Sequence, residues 1–76
     1  MNEPFDKILK TFGNQLQKLR LEKALSLHEM SRKSTISIAR LRRMENGEIN
    51  IRVNTMRLLA RALGVQLSDF FIDDSG

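Results

Sequence analysis

Phe5, Ile8, Leu9, Phe12, Leu16 and Leu19 recur along the chain at steps of three and four residues. That spacing keeps side chains on one face of an α-helix. It predicts a first helix over about residues 4–23, with Pro4 in the first turn, where a missing N–H costs nothing. Gly13 falls mid-helix, where glycine is about 1 kcal/mol worse than alanine, so a break or kink is open there. Ser26 followed by Glu29 three positions on reads as a capping box that opens a second helix, ending near Lys33 or Ser34. Thr35 and Ile36 form a turn, and Ser37 caps a third helix running to Met44 or Glu45. Gly47 then supplies the left-handed residue that stops it. A fourth helix covers about residues 53–63, with Met56, Leu59, Ala60 and Leu63 inward and Gly64 at its end. The closing "LSDFF" is a short fifth helical turn that puts Leu67 and one phenylalanine into the core. No β-pattern competes, because Tyr and Trp are absent and β-branched residues never alternate with polar ones over a long run. The expected fold class is therefore all-α with five helices, the second and third joined by a very short turn.

The third helix divides into two sides. Taking Ile38 as zero, Arg42 lies at about 40°, Ala39 at about 100° and Arg43 at about 140°. Leu41, Met44 and Glu45 occupy the opposite side, with Arg40 on the flank. An isoleucine set outward beside two arginines is unusual for a face that meets only water. It suits one that meets base edges, where apolar groups pack on thymine methyls and arginines bond guanine. Glu45 on the inward side requires a partner, and Arg20, next to the core residue Leu19, is the natural cation.

Charge reinforces this picture. Residues 32–61 carry Arg32, Lys33, Arg40, Arg42, Arg43, Arg52, Arg57 and Arg61 against only Glu45 and Glu48. The end of the chain is acidic, with Asp69, Asp73 and Asp74. A local excess of this kind points to an anionic polymer or surface. The 76 residues make one small domain, residues 1–76. Cysteine is absent, which removes disulfide and thiolate-metal frameworks. No apolar run is long enough for a membrane span or a signal peptide, so a cytoplasmic location is expected. No metal-ligand spacing, nucleophile–base set or phosphate-cradling glycine loop occurs, so neither an enzyme, a metal site nor a cofactor is expected.

The segments "LQKLRLEKALSLHEMSRK", "STISIARLRRMENGE" and "LLARALGVQLSDFF" together resemble the helix-turn-helix domain of the phage repressor and Cro family, the XRE-type regulators. The resemblance covers roughly residues 12–71, leaving 1–11 as a helical extension and 72–76 as a short acidic tail. It implies a lambda-repressor-like five-helix fold, with helices two and three as the helix-turn-helix. The third helix would enter the major groove while the second lies across the backbone. It also implies the Arg20–Glu45 ion pair and base-facing or groove-edge roles for Ser37, Ile38, Ala39, Arg42 and Arg43. Arg40 and Asn46 match phosphate-contacting positions, and Leu27, His28 and Arg52 complete the candidate phosphate set. For His28 a plain surface role stays open. Three positions depart from the family's habit: Leu27 stands where glutamine is common, Thr35 where the turn usually has glycine, and "EINIRVN" follows Gly47.

The function expected is a sequence-specific, double-stranded-DNA-binding transcriptional regulator, a repressor acting as a homodimer on a near-palindromic operator. With no second domain in the chain, its control would come from its own concentration or from a partner. Phe71 matches the family's core position, which leaves Phe70 and Ile72 as candidates for a dimer contact. Two other readings stand beside this one. The chain could be an antitoxin that binds a toxin through the Phe5–Phe12 stripe while repressing its own operon. It could also be a protein-interaction module of the same fold that has lost DNA binding, as Leu27, Thr35, Ile38 and Ala39 would allow. Arg42 is the expected principal reader, at the centre of the exposed face.

Overall fold

The computed structural model describes residues 3–72, with side chains from residue 7 onward. Phe5's side chain and the acidic residues Asp73 and Asp74 lie outside the described residues. Four α-helices follow one another: α1 Glu3–Glu22, α2 Leu27–Ser34, α3 Ile38–Glu45 and α4 Val53–Leu63. The fifth segment is a 3₁₀ turn, Leu67–Phe71, so the described residues form four α-helices and not five. In so short a segment the tighter i→i+3 geometry is common, and here the Asp69 N–H donates to the Gln66 carbonyl at 3.0 Å.

That geometry also decides which aromatic is inside. At three residues per turn, Leu67 and Phe70 share a face. Phe70 is fully buried, while Phe71 and Ile72 are exposed. Phe70 is therefore core, in place of the Phe71 expected there, and it is removed from the dimer candidates; Phe71 and Ile72 form the exposed pair. The Phe12 and Phe70 rings pack with centroids 4.8 Å apart, and the Phe71 ring lies 5.9 Å from that of Phe12.

One apolar cluster holds the elements together: Phe12 and Leu16 of α1, Met30 of α2, Leu41 and Met44 of α3, and Leu59, Ala60 and Leu63 of α4 join Phe70. Leu9 and Phe12 are buried, so two of the three described side chains of the Phe5–Phe12 stripe are spent inside the molecule. Of its described side chains only Ile8 is exposed. Burying these large side chains is the main stabilising term, at about 1.5–3 kcal/mol each.

Gly13 neither breaks α1 nor serves flexibility. The helix runs through it, and it is buried where the C-terminal end of α3 comes closest. A Cβ there would lie 2.5 Å from the Met44 carbonyl oxygen and 2.7 Å from that of Glu45. Gln15, one turn from the core seam, donates from Nε2 to the Asp69 carbonyl at 2.9 Å and ties α1 to the 3₁₀ turn.

Three helices end alike. Leu25, Glu48 and Val65 donate N–H bonds back to Arg20, Arg43 and Ala60 at 2.9–3.0 Å, the terminal pattern that requires a left-handed residue just before the donor. Gly47 and Gly64 fill that position for α3 and α4, whereas α1 uses Ala24 at φ 57°. Among the described residues, no helix is long and apolar enough to cross a membrane.

Candidate nucleic-acid interface

α2 begins as its sequence predicts. The Ser26 Oγ accepts from the Glu29 N–H at 3.0 Å, and the Glu29 carboxylate accepts from the Ser26 N–H at 2.9 Å. The Ser26 backbone N–H, and then its side chain, hold the exposed Glu29 carboxyl below its ordinary range. A lowered acid stabilises the fold above its unfolded-state titration, and that contribution fades as pH falls through the lowered value.

The turn that aims α3 is braced from inside by Ser34, which sequence reasoning missed. Its buried hydroxyl donates to the Met30 carbonyl at 2.7 Å and accepts from the Ile36 N–H at 3.2 Å. A small polar residue in the last helical turn before a reversal is the one signal that could have marked it. Thr35 follows in the left-handed region at φ 62°, so the turn keeps the shape for which glycine is the easy choice. A β-branched residue there is strained by about 1–2 kcal/mol. Thr35→Gly relieves that strain and gives back part of it through the freer unfolded chain. The expected result is a gain of about 0.5–1 kcal/mol, read as a higher urea midpoint at unchanged slope; a lower midpoint would show the threonine to be at ease.

Ser37 caps α3 by accepting from the Arg40 N–H at 3.2 Å. α3 is then held by its inner face. Leu41 and Met44 are fully buried, and Glu45 meets Arg20 in a two-pronged ion pair, Nε to Oε2 at 2.6 Å and Nη2 to Oε1 at 3.1 Å. The remaining Arg20 prong, Nη1, donates to the Leu25 carbonyl at 2.8 Å. One guanidinium thus fixes α3 to α1 and to the loop entering α2. A forked geometry of this kind restrains rotation as well as separation.

The outer face of α3 carries the candidate readers. Ala39, Arg40, Arg42 and Arg43 are exposed, whereas Ile38, expected outward, is half-buried. Ser37 is exposed too, but its oxygen is occupied by the cap, leaving the hydroxyl proton for an outside acceptor. Arg42 has no ion-pair partner among the described residues. Arg43 has one, with Nε 4.0 Å from Glu48 Oε1; the sequence reading gave Glu48 no role.

The phosphate candidates lie at the helix ends. Asn46 is exposed at the end of α3, Arg52 at the start of α4 and His28 in the first turn of α2. Leu27 differs from expectation: its side chain is half-buried and packed against the core. An apolar side chain turned inward cannot bond a phosphate, which leaves only its backbone N–H at the open end of α2. Arg52 precedes α4 without a side-chain cap, so the first N–H groups of that helix are likewise open.

Residues 16–70 match a family model described as a helix-turn-helix, HTH_3. Among solved structures, the restriction-modification controller protein C.AhdI from Aeromonas hydrophila is 28% identical, with a TM-score of 0.80 over 83% of this chain and 96% of that one. An HTH_3 family transcriptional regulator from Vibrio cholerae is 30% identical, with a TM-score of 0.87 over 92% of this chain. This chain spans 39% of that regulator's length. The clp gene regulator ClgR from C. glutamicum shares the fold at 23% identity and a TM-score of 0.80, over 84% of this chain and 83% of that one. No curated protein matches the chain.

Proposed function

The chain belongs to the HTH_3 helix-turn-helix family, of the XRE type, and on that premise we propose that it is a transcriptional repressor that binds a near-palindromic operator as a homodimer. The observation that carries this reading is α3 itself. Its inner face is locked to the core through Leu41, Met44 and the Arg20–Glu45 fork, while its outer face presents Arg40, Arg42 and Arg43. A rigid helix with an arginine face is what major-groove reading requires. In this pose Arg42 bonds a guanine edge, and Ile38 and Ala39 offer apolar contact to thymine methyls. Arg40, Asn46, Arg52, His28 and the open amides of α2 and α4 sit against phosphates.

Repression follows from occupancy of the operator, without catalysis. Exposed Phe71 and Ile72 supply an apolar patch for pairing two copies, which would present two α3 helices to successive major grooves. An antitoxin role has less behind it, since Leu9 and Phe12 are buried and, among the described side chains of the α1 stripe, Ile8 alone is exposed.

Phosphate contacts make binding salt-dependent through counterion release, at about 0.9 in log–log slope per phosphate neutralised. Affinity for duplex DNA should therefore fall steeply between low and physiological salt. Arg40→Ala should weaken selected and random duplexes alike and flatten the slope by about one such unit. Salt-independent binding, or none at low salt, would instead favour a protein-interaction module.

A further inference from the structure

Within the basic stretch 32–61 there are two acidic residues, and they are used differently. Glu45 is buried against Arg20. Glu48 stands exposed in the loop after α3, between the candidate phosphate contacts Asn46 and Arg52. The backbone fixes it beside Arg43, because the bond that terminates α3 runs from the Glu48 N–H to the Arg43 carbonyl at 2.9 Å. The carboxylate then reaches the Arg43 guanidinium at 4.0 Å, with the two side chains 61% and 55% exposed.

An ion pair that open to water contributes little to stability. Its consequence is electrostatic. A carboxylate on a face that meets a polyanion repels phosphate, and it occupies a cation that would otherwise seize one.

Building on the DNA-binding reading above, we infer that Glu48 is a specificity-determining residue that restrains Arg43. Most of the affinity for arbitrary DNA comes from cations that engage phosphates wherever they find them. Arg43 beside Glu48 is held back from that pool, because a phosphate brought to its guanidinium must also approach the carboxylate. Phosphate and guanine can both offer the guanidinium two acceptors, but the phosphate is an anion that the Glu48 carboxylate repels, whereas guanine O6 and N7 are neutral. Arg42, with no partner among the described residues, is available on every sequence. Glu48 thus lowers non-specific binding more than specific binding and widens the ratio between them.

The test uses the full chain with Glu48→Gln, which keeps size and hydrogen bonding but removes the charge. Binding is titrated against salt on the selected operator duplex and on a random duplex. Random-duplex affinity should rise about tenfold at low salt, with a slope steeper by about 0.9, as one further phosphate is engaged. Operator affinity should change less than about threefold, because Arg43 is already released to guanine there. With Arg43→Ala in the background, the same Glu48→Gln change should move random-duplex binding by less than about twofold, since no withheld cation remains.

Equal tightening on both duplexes, or none, would overturn the inference. So would tightening that persists in full without Arg43, which would be simple repulsion. Weakened operator binding would make Glu48 a direct base contact and overturn it as well. A wild-type chain that binds neither duplex would remove the DNA-binding reading itself, and this inference with it.

Discussion

Arg20→Ala should destabilise the domain by about 3–5 kcal/mol, the usual cost of leaving one partner of a buried ion pair alone. Both Glu45 carboxylate oxygens lose their donors, and the Leu25 carbonyl loses a third bond from the same guanidinium. The pair is nearly sealed from water, with side chains 9% and 5% exposed, so solvent cannot replace what is removed. A domain of this length has a total stability of about 4–11 kcal/mol, and the variant should be largely unfolded by mild heat or low urea. Replacing both residues with methionine should cost less than either single loss, because no uncompensated charge remains. An Arg20→Ala midpoint equal to that of the wild type would mean that Glu45 has another partner and that α3 is not anchored this way.

Gly13→Ala should lower stability by about 2 kcal/mol, against the sign that helix propensity alone would give. In an exposed helix the change would add about 1 kcal/mol. Here the new Cβ lies at 2.5–2.7 Å from two backbone oxygens of α3, and backbone cannot rotate away as a side chain can. Overpacking of this sort costs about 1–3 kcal/mol. It also pushes the Glu45 end of α3 away from Arg20, which weakens the ion pair at the same time. The melting temperature should fall by about 10 °C for a domain of this size; an increase would show that α1 and α3 are not in close contact at this point.

Gly13 also shows where sequence reasoning ran short. Periodicity exposed the four α-helices, and capping chemistry located the ends of α2 and α3, because both are local and leave marks within a few residues. The two faces of α3, and the need of Glu45 for a cation, followed from angular spacing. What stayed hidden depends on residues far apart in sequence. The closeness of Gly13 to the end of α3, the Gln15 bond to Asp69 and the hydroxyl of Ser34 inside the turn have no local signature. The choice of Phe70 over Phe71 rested on whether the last turn is α or 3₁₀, and a five-residue segment does not declare that. Leu27 was misplaced because a matching position was read for its role, while its apolar side chain followed the core.

The most direct test of α3 as a reading head is the base dependence of Arg42. Random duplexes are selected for binding, and Arg42→Ala is measured against every single-base variant of the recovered site. Discrimination of about 1–3 kcal/mol should disappear at one guanine, with preferences elsewhere unchanged. Arg40→Ala, in parallel, should lower all affinities together. If Arg42→Ala instead lowered affinity equally on every sequence, Arg42 would be a phosphate anchor, and the outer face of α3 would not be reading bases through it.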